Sequence, residues 1–159
     1  MTLLHRAIAV TTEVNDETRR VRVVCSTEGV DRYGDIVVQA GIDLTHFRTL
    51  RTVLWNHDQD EPIARCIEID LVCDHLEALV EFPAAGVNPK SDQIYGLIKA
   101  GIINAVSIGF GPKAKTPIDK ARPKAGEIIE KSELWELSFV SVPANPGAVI
   151  LERRAPARR

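Results

Sequence analysis

Long apolar runs, paired cysteines and an excess of either charge are what this 159-residue chain lacks. No stretch approaches the roughly 20 apolar residues a helix needs to cross a bilayer. The start, Met-Thr-Leu-Leu-His-Arg, has no signal-peptide pattern of basic end, apolar stretch and small-residue cleavage site. An intracellular protein without a membrane partner is expected. A formal net charge of −2 gives no reason to expect nucleic acid as a partner either. Cys25, Cys66 and Cys73 are odd in number and form no Cys-x-x-Cys pair, which fits reduced, partly buried thiols better than a disulfide framework. His5, His46 and His75 are scattered. Asp58 and Asp60 flank His57, but no second histidine sits at a spacing that completes a metal set, so no metal and no cofactor are expected. Internal repeats are absent.

What is present reads as one domain over residues 1–151, long enough for a real core, followed by a basic tail at 152–159. That tail has no apolar residue larger than alanine or proline, so it is expected to be disordered in isolation. Alternation predicts strands at Leu3–Val10, Arg19–Cys25 and Ile36–Val38, with a hairpin tip at Asn15-Asp16-Glu17. A short helix at Asp43–Thr49 precedes a strand at Thr52–Asn56 that leads to His57. Strands at Ile63–Asp70 and Leu76–Phe82 form a hairpin around Cys73-Asp74-His75. The clearest helix runs from Pro89 to Ala100, with Asn88 as N-cap, Pro89 in the first position and Gly101 as the stop. Lysine and proline crowd residues 111–125, predicted as a mobile surface loop, and strands at Glu127–Lys131 and Leu134–Val142 complete the sheet. The fold class expected is mainly β with a few helices (α+β), a closed or nearly closed barrel.

Three segments carry chemistry. Asn104-Ala-Val-Ser-Ile-Gly-Phe110 sets Ser107 on an apolar strand, Val53-Leu-Trp-Asn-His-Asp58 delivers His57 at the end of another, and the Leu134–Ala148 segment supplies Glu136. A serine hydroxyl needs a neutral imidazole in reach and a third group to fix its tautomer before it attacks a carbonyl. These residues alone leave a plain alternative open, with Ser107 a small packed residue, His57 a turn cap and Glu136 a solvated carboxylate.

Four segments in order, Asp31-Arg-Tyr-Gly-Asp-Ile-Val37, Val53-Leu-Trp-Asn-His-Asp58, Ala105-Val-Ser-Ile-Gly-Phe110 and Glu136-Leu-Ser-Phe-Val-Ser-Val-Pro-Ala-Asn-Pro146, resemble the prohead maturation proteases of HK97-type tailed bacteriophages. The resemblance spans about Cys25 to Leu151. It implies a serine endopeptidase with a fold related to the herpesvirus assemblins, Ser107 as nucleophile, His57 as general base and Glu136 as third member. Glu133 stays open as an alternative. Strict alternation puts Glu136, Ser138, Val140 and Val142 on one face and Trp135, Leu137, Phe139 and Ser141 on the other, so Glu133 needs a break in the strand to join Glu136.

The resemblance also implies an oxyanion hole in Pro143-Ala-Asn-Pro-Gly147, where Ala144 and Asn145 retain N–H groups. Removing one such donor typically costs about 3 kcal/mol of transition-state stabilisation. After Pro62-Ile63 this chain has Ala64-Arg65 where the family pattern has a glycine, which bears on the turn and not on the histidine. The implied substrates are the major capsid protein's scaffold-like extension or a scaffold protein, together with the protease's own ends. The implied place is the assembling prohead in the host cytoplasm, and the implied active form is a self-associated one, a dimer. Two rivals keep the sequence but change the function: a noncatalytic capsid-assembly or scaffold-docking module, and a serine hydrolase of small esters or amides.

Overall fold

The computed structural model describes residues 18–151. The strand at Leu3–Val10, the hairpin tip at Asn15-Asp16-Glu17 and the basic tail lie outside these residues. Along the chain come β1 (Arg20–Thr27), β2 (Ile36–Val37), β3 (Ile42–Asp43), α1 (Thr45–Leu50), β4 (Thr52–Trp55) and β5 (Asp58–Val72). They are followed by β6 (His75–Glu81), α2 (Pro89–Lys99), β7 (Ala105–Pro117) and β8 (Glu127–Val140).

Among the described residues all eight strands join one mixed sheet with a path β1-β6-β5-β4-β8, and β8 is its hub. On one edge β8 takes β2, β3 and β4 in parallel, one after another along its length; on the other it takes β7 antiparallel throughout. The sheet then curls back on itself. Residues 148–151 lie between β7 and β1, with Val106 N–H donating to Ala148 at 3.1 Å and Val24 N–H to Val149 at 2.8 Å. On the same segment Ile150 N–H donates to Asn104 and Leu151 N–H to Arg22, both at 3.0 Å. This short bridge covers the start of β7 and the Arg22–Val24 part of β1, edges that would otherwise stay open, the standard liability of a sheet.

The core follows from alternation. Val21 and Val23 of β1, Ala78 and Val80 of β6, Val53 of β4 and Leu137 and Phe139 of β8 all point inward and are buried. Helix α2 closes one end. Asn88 accepts from the Lys90 N–H at 3.0 Å as its N-cap, and the buried Ser91 hydroxyl donates to Ile63 at 2.6 Å. Ile94, Tyr95 and Ile98 turn to the core, where Phe82 packs between Tyr95 and Phe139 with ring centroids 5.2 and 5.4 Å away. Gly101, at φ 73°, ends the helix as its position predicts.

Two expectations change. Residues 111–117 do not open a loop: they extend β7 and pair with β8 as far as Pro117 opposite Glu127. Prolines 112 and 117 are tolerated because this stretch is a sheet edge, where a missing N–H leaves no ladder bond unmade. Lys113 pairs with Glu133 at 3.0 Å and Lys115 with Glu127 at 2.8 Å across the two strands. The strands expected at Glu127–Lys131 and Leu134–Val142 are one continuous strand, β8, with two irregularities inside it, at Glu130 and at Trp135.

Candidate active site

His57 sits in a two-residue hairpin turn. Trp55 pairs with Asp58, leaving Asn56 at φ 53° and His57 at φ 61° as the central residues of a type I′ geometry. Asparagine suits the first of these positions; glycine is the usual choice at the second. A histidine there costs about 1–2 kcal/mol of left-handed strain. The turn is held down by Asn56 N–H donating to Phe139 at 2.9 Å and by His57 N–H donating to the Ser138 hydroxyl at 3.1 Å.

Glu136 meets the His57 ring. Its Oε1 contacts Nδ1, while its Oε2 accepts from the Ser138 hydroxyl at 2.5 Å. Ser138, fully buried, therefore ties the histidine backbone to the carboxylate that contacts the histidine ring. Strict alternation fails one residue earlier. Gly109 pairs with Glu136 and Phe110 with Leu134, so Trp135 is an extra residue that bulges out and is exposed, while Leu134 and Leu137 on either side of it are both buried. That bulge is the break Glu133 needed to reach Glu136's face. Glu133 nevertheless turns to Lys113 and not to His57.

Ser107 lies one strand further on. It pairs with Ser138 across β7 and β8, and Ser138 pairs with Leu54 across β8 and β4, so the three form one row over the sheet. That row lies on the sheet face opposite Val106, Leu137, Phe139 and Val53, and Ser107, Ser138 and Leu54 are themselves buried there. The His57 ring, Glu136, Ser138 and Ser107 thus share one face of the sheet. Among the described residues the Ser107 hydroxyl makes no hydrogen bond to His57.

Gly109 shares Ser107's face two residues on, and a Cβ there would lie 2.5 Å from Glu136 Oε1. Gly111, the next on that face, would meet the Trp135 ring at 2.2 Å. Both glycines of Ser-Ile-Gly-Phe-Gly leave room for side chains reaching over from β8.

Ser107 lines a small cleft together with Ala144 and Asn145. The Asn145 side chain fixes this loop from below, with Nδ2 donating to Thr27 O at 2.9 Å and Oδ1 accepting from Gly147 N–H at 2.8 Å. Among the described residues neither the Ala144 nor the Asn145 backbone N–H finds an acceptor. Cys25 lines the same cleft, but burial raises its pKa well above the ordinary value, as it pushes that of Cys66 up to about 12, so both thiols are held in the protonated form.

Sequence reasoning named Ser107, His57, Glu136, Ala144 and Asn145 but missed Ser138 and Gly109. Their signal was present as a same-face spacing of two, Glu136 with Ser138 and Ser107 with Gly109. It had no meaning until the two strands were paired.

Comparison with known proteins matches a family model described as caudovirus prohead serine protease over residues 23–157. The prohead protease of Escherichia phage T5 is 31% identical over 144 residues, which cover 86% of this chain and 64% of that protein. The capsid polyprotein of Pseudomonas phage PAJU2 is 29% identical over 141 residues, covering 86% of this chain and 20% of the polyprotein. The chain therefore spans just under two thirds of one of these relatives and a fifth of the other.

Proposed function

The chain belongs to the caudovirus prohead serine protease family, and from that membership we propose that it is a serine endopeptidase of phage prohead maturation that works through Ser107, His57 and Glu136. Ser107 Oγ attacks the scissile carbonyl as His57 Nε2 takes its proton. Glu136 holds the Nδ1 side of the ring, keeping Nε2 free as the base and supporting the imidazolium that forms. The oxyanion of the tetrahedral intermediate is received by the Ala144 and Asn145 N–H groups. Collapse of the intermediate returns the proton from His57 to the leaving amine, and water then releases the acyl group by the same path in reverse.

The observation that carries this reading is the His57–Glu136 contact, on the same face of the sheet as Ser107. Backbone strain points the same way. A histidine kept where glycine is the cheaper residue has a use other than turn stability. A capsid or scaffold substrate is supported by the PAJU2 relative, a capsid polyprotein that contains a segment similar to this chain. Self-association, inside a forming shell, is part of the same proposal.

The test combines a serine-directed fluorophosphonate probe with a co-expressed capsid precursor. Wild type is expected to be labelled at Ser107 and to shorten the precursor; Ser107→Ala and His57→Ala, folded, are expected to do neither. Processing at the normal rate by purified Ser107→Ala overturns the assignment. Labelling without any processing of protein or peptide favours a small-ester hydrolase, and loss of both in wild type a docking module.

A further inference from the structure

The motif Asp31-Arg32-Tyr33-Gly34-Asp35 is folded into a tight turn far from the His57 hairpin in sequence. Asp31 Oδ1 accepts from the N–H groups of Tyr33 at 2.8 Å and Asp35 at 2.9 Å, and Asp31 N–H donates to Asp35 O at 2.8 Å. Arg32 is thereby fixed at the tip of the turn, and it makes two bonds to the loop after β8. Its Nε donates to Pro143 O and its backbone N–H to Ala144 O, each at 2.9 Å.

Those two carbonyls are not arbitrary. In a planar trans peptide the C=O of one residue and the N–H of the next point in opposite directions. Pro143 C=O shares its peptide plane with Ala144 N–H, and Ala144 C=O shares its plane with Asn145 N–H. Both planes are therefore held by Arg32, and both N–H groups are turned away from it, unpaired, in residues that line the cleft with Ser107. We propose that Arg32 is the positioning residue of the oxyanion hole: its side chain orients the Ala144 N–H through the Pro143 carbonyl, the arm that side-chain substitution tests, and its backbone N–H orients the Asn145 N–H through the Ala144 carbonyl. Preorganised donors are worth more than mobile ones because no reorganisation is needed when charge develops. Arg32 itself is exposed and touches no reacting atom, so its effect is on the loop and not on the core.

This inference rests on the serine-protease reading of Ser107 and of the two donors. The experiment uses a fluorogenic peptide spanning the precursor cleavage site that wild type is found to cut, and a peptide aldehyde of the same sequence, whose adduct with Ser107 carries a tetrahedral oxygen in the hole. Arg32→Ala and Arg32→Met are expected to lower kcat by about 10- to 100-fold, short of or equal to the loss of a donor outright. KM stays within about twofold. Aldehyde binding weakens by a similar factor while binding of the uncleavable amide product does not change, and Arg32→Lys, which keeps a donor, recovers part of the loss. A rise in KM at constant kcat makes Arg32 a substrate contact and overturns the proposal, as does an unchanged kcat in all three variants. Wild type that neither cuts the peptide nor reacts with a fluorophosphonate fails the serine-protease reading itself; active wild type with unaffected variants fails only the role of Arg32.

Discussion

Gly109 and Glu136 stand opposite one another across β7 and β8, and the space beside the Gly109 Cα is filled by the Glu136 carboxyl group. A Cβ at 109 would lie 2.5 Å from Oε1 and 2.8 Å from Cγ. The glycine of Ser-Ile-Gly-Phe is therefore part of what lets Glu136 reach His57. Gly109→Ala is expected to leave a folded barrel, since Glu136 is a surface-facing chain that can swing aside, but to cut kcat on a peptide substrate by about tenfold or more. Full activity in a Gly109→Ala protein shows that the Glu136 position does not matter to turnover.

His57→Gly separates strain from chemistry. Glycine adopts the positive φ of the second turn position without penalty, so the variant is expected to melt no lower than wild type and as much as a few degrees higher. Processing of precursor is expected to vanish. A clear drop in melting temperature contradicts the strain argument for this turn.

Glu136→Gln is expected to slow turnover by far more than Glu133→Gln, because Glu133 pairs with Lys113 and a neutral amide at 136 no longer supports the imidazolium. Ser138→Ala removes one hydroxyl that serves both the His57 backbone and Glu136, and is expected to fall between the two in kcat. Greater damage from Glu133→Gln moves the third role to Glu133.

Stability carries a pH signature at the β5–β6 turn. Burial disfavours the charged form of His75, but hydrogen bonds to Glu77 at 2.8 Å and to Asp74 outweigh it, so the pKa is raised from 6.5. A raised folded pKa contributes stability that is complete below the unfolded value and is lost as pH rises through the folded one. His75→Gln is thus expected to lower the melting temperature more below about pH 6 than above about pH 8. An equal deficit at both ends removes the electrostatic account.

Self-association is expected to govern activity. Specific activity should fall on dilution through the dimer dissociation range, which for a micromolar constant corresponds to about 8 kcal/mol at the standard state. Constant specific activity over a thousandfold dilution of a monomeric protein excludes this control and leaves the Ser107 and His57 chemistry intact.

Several elements were legible from short stretches of sequence alone. Alternating valines marked β1, Asn88-Pro89 and Gly101 bounded α2, and the segments around His57, Ser107 and Glu136 were each recognisable because caps, periods and motifs are written within a few neighbouring residues. Long-range pairing decided the rest. Residues 111–117 of the lysine- and proline-rich stretch became strand because β8 was there to pair with them, while 118–125 form turns, and the bulge at Trp135 overturned an alternation that the local sequence supported. Which side chain each carboxylate meets, His57 for Glu136 and Lys113 for Glu133, and the hydrogen bond from Arg32 to Pro143, 111 positions away, came likewise from distant segments. A strand's own residues set its period. Its register, its bulges and what lies across from it are set by the partner strand, because the hydrogen bonds and steric exclusions that fix them form only after distant segments meet.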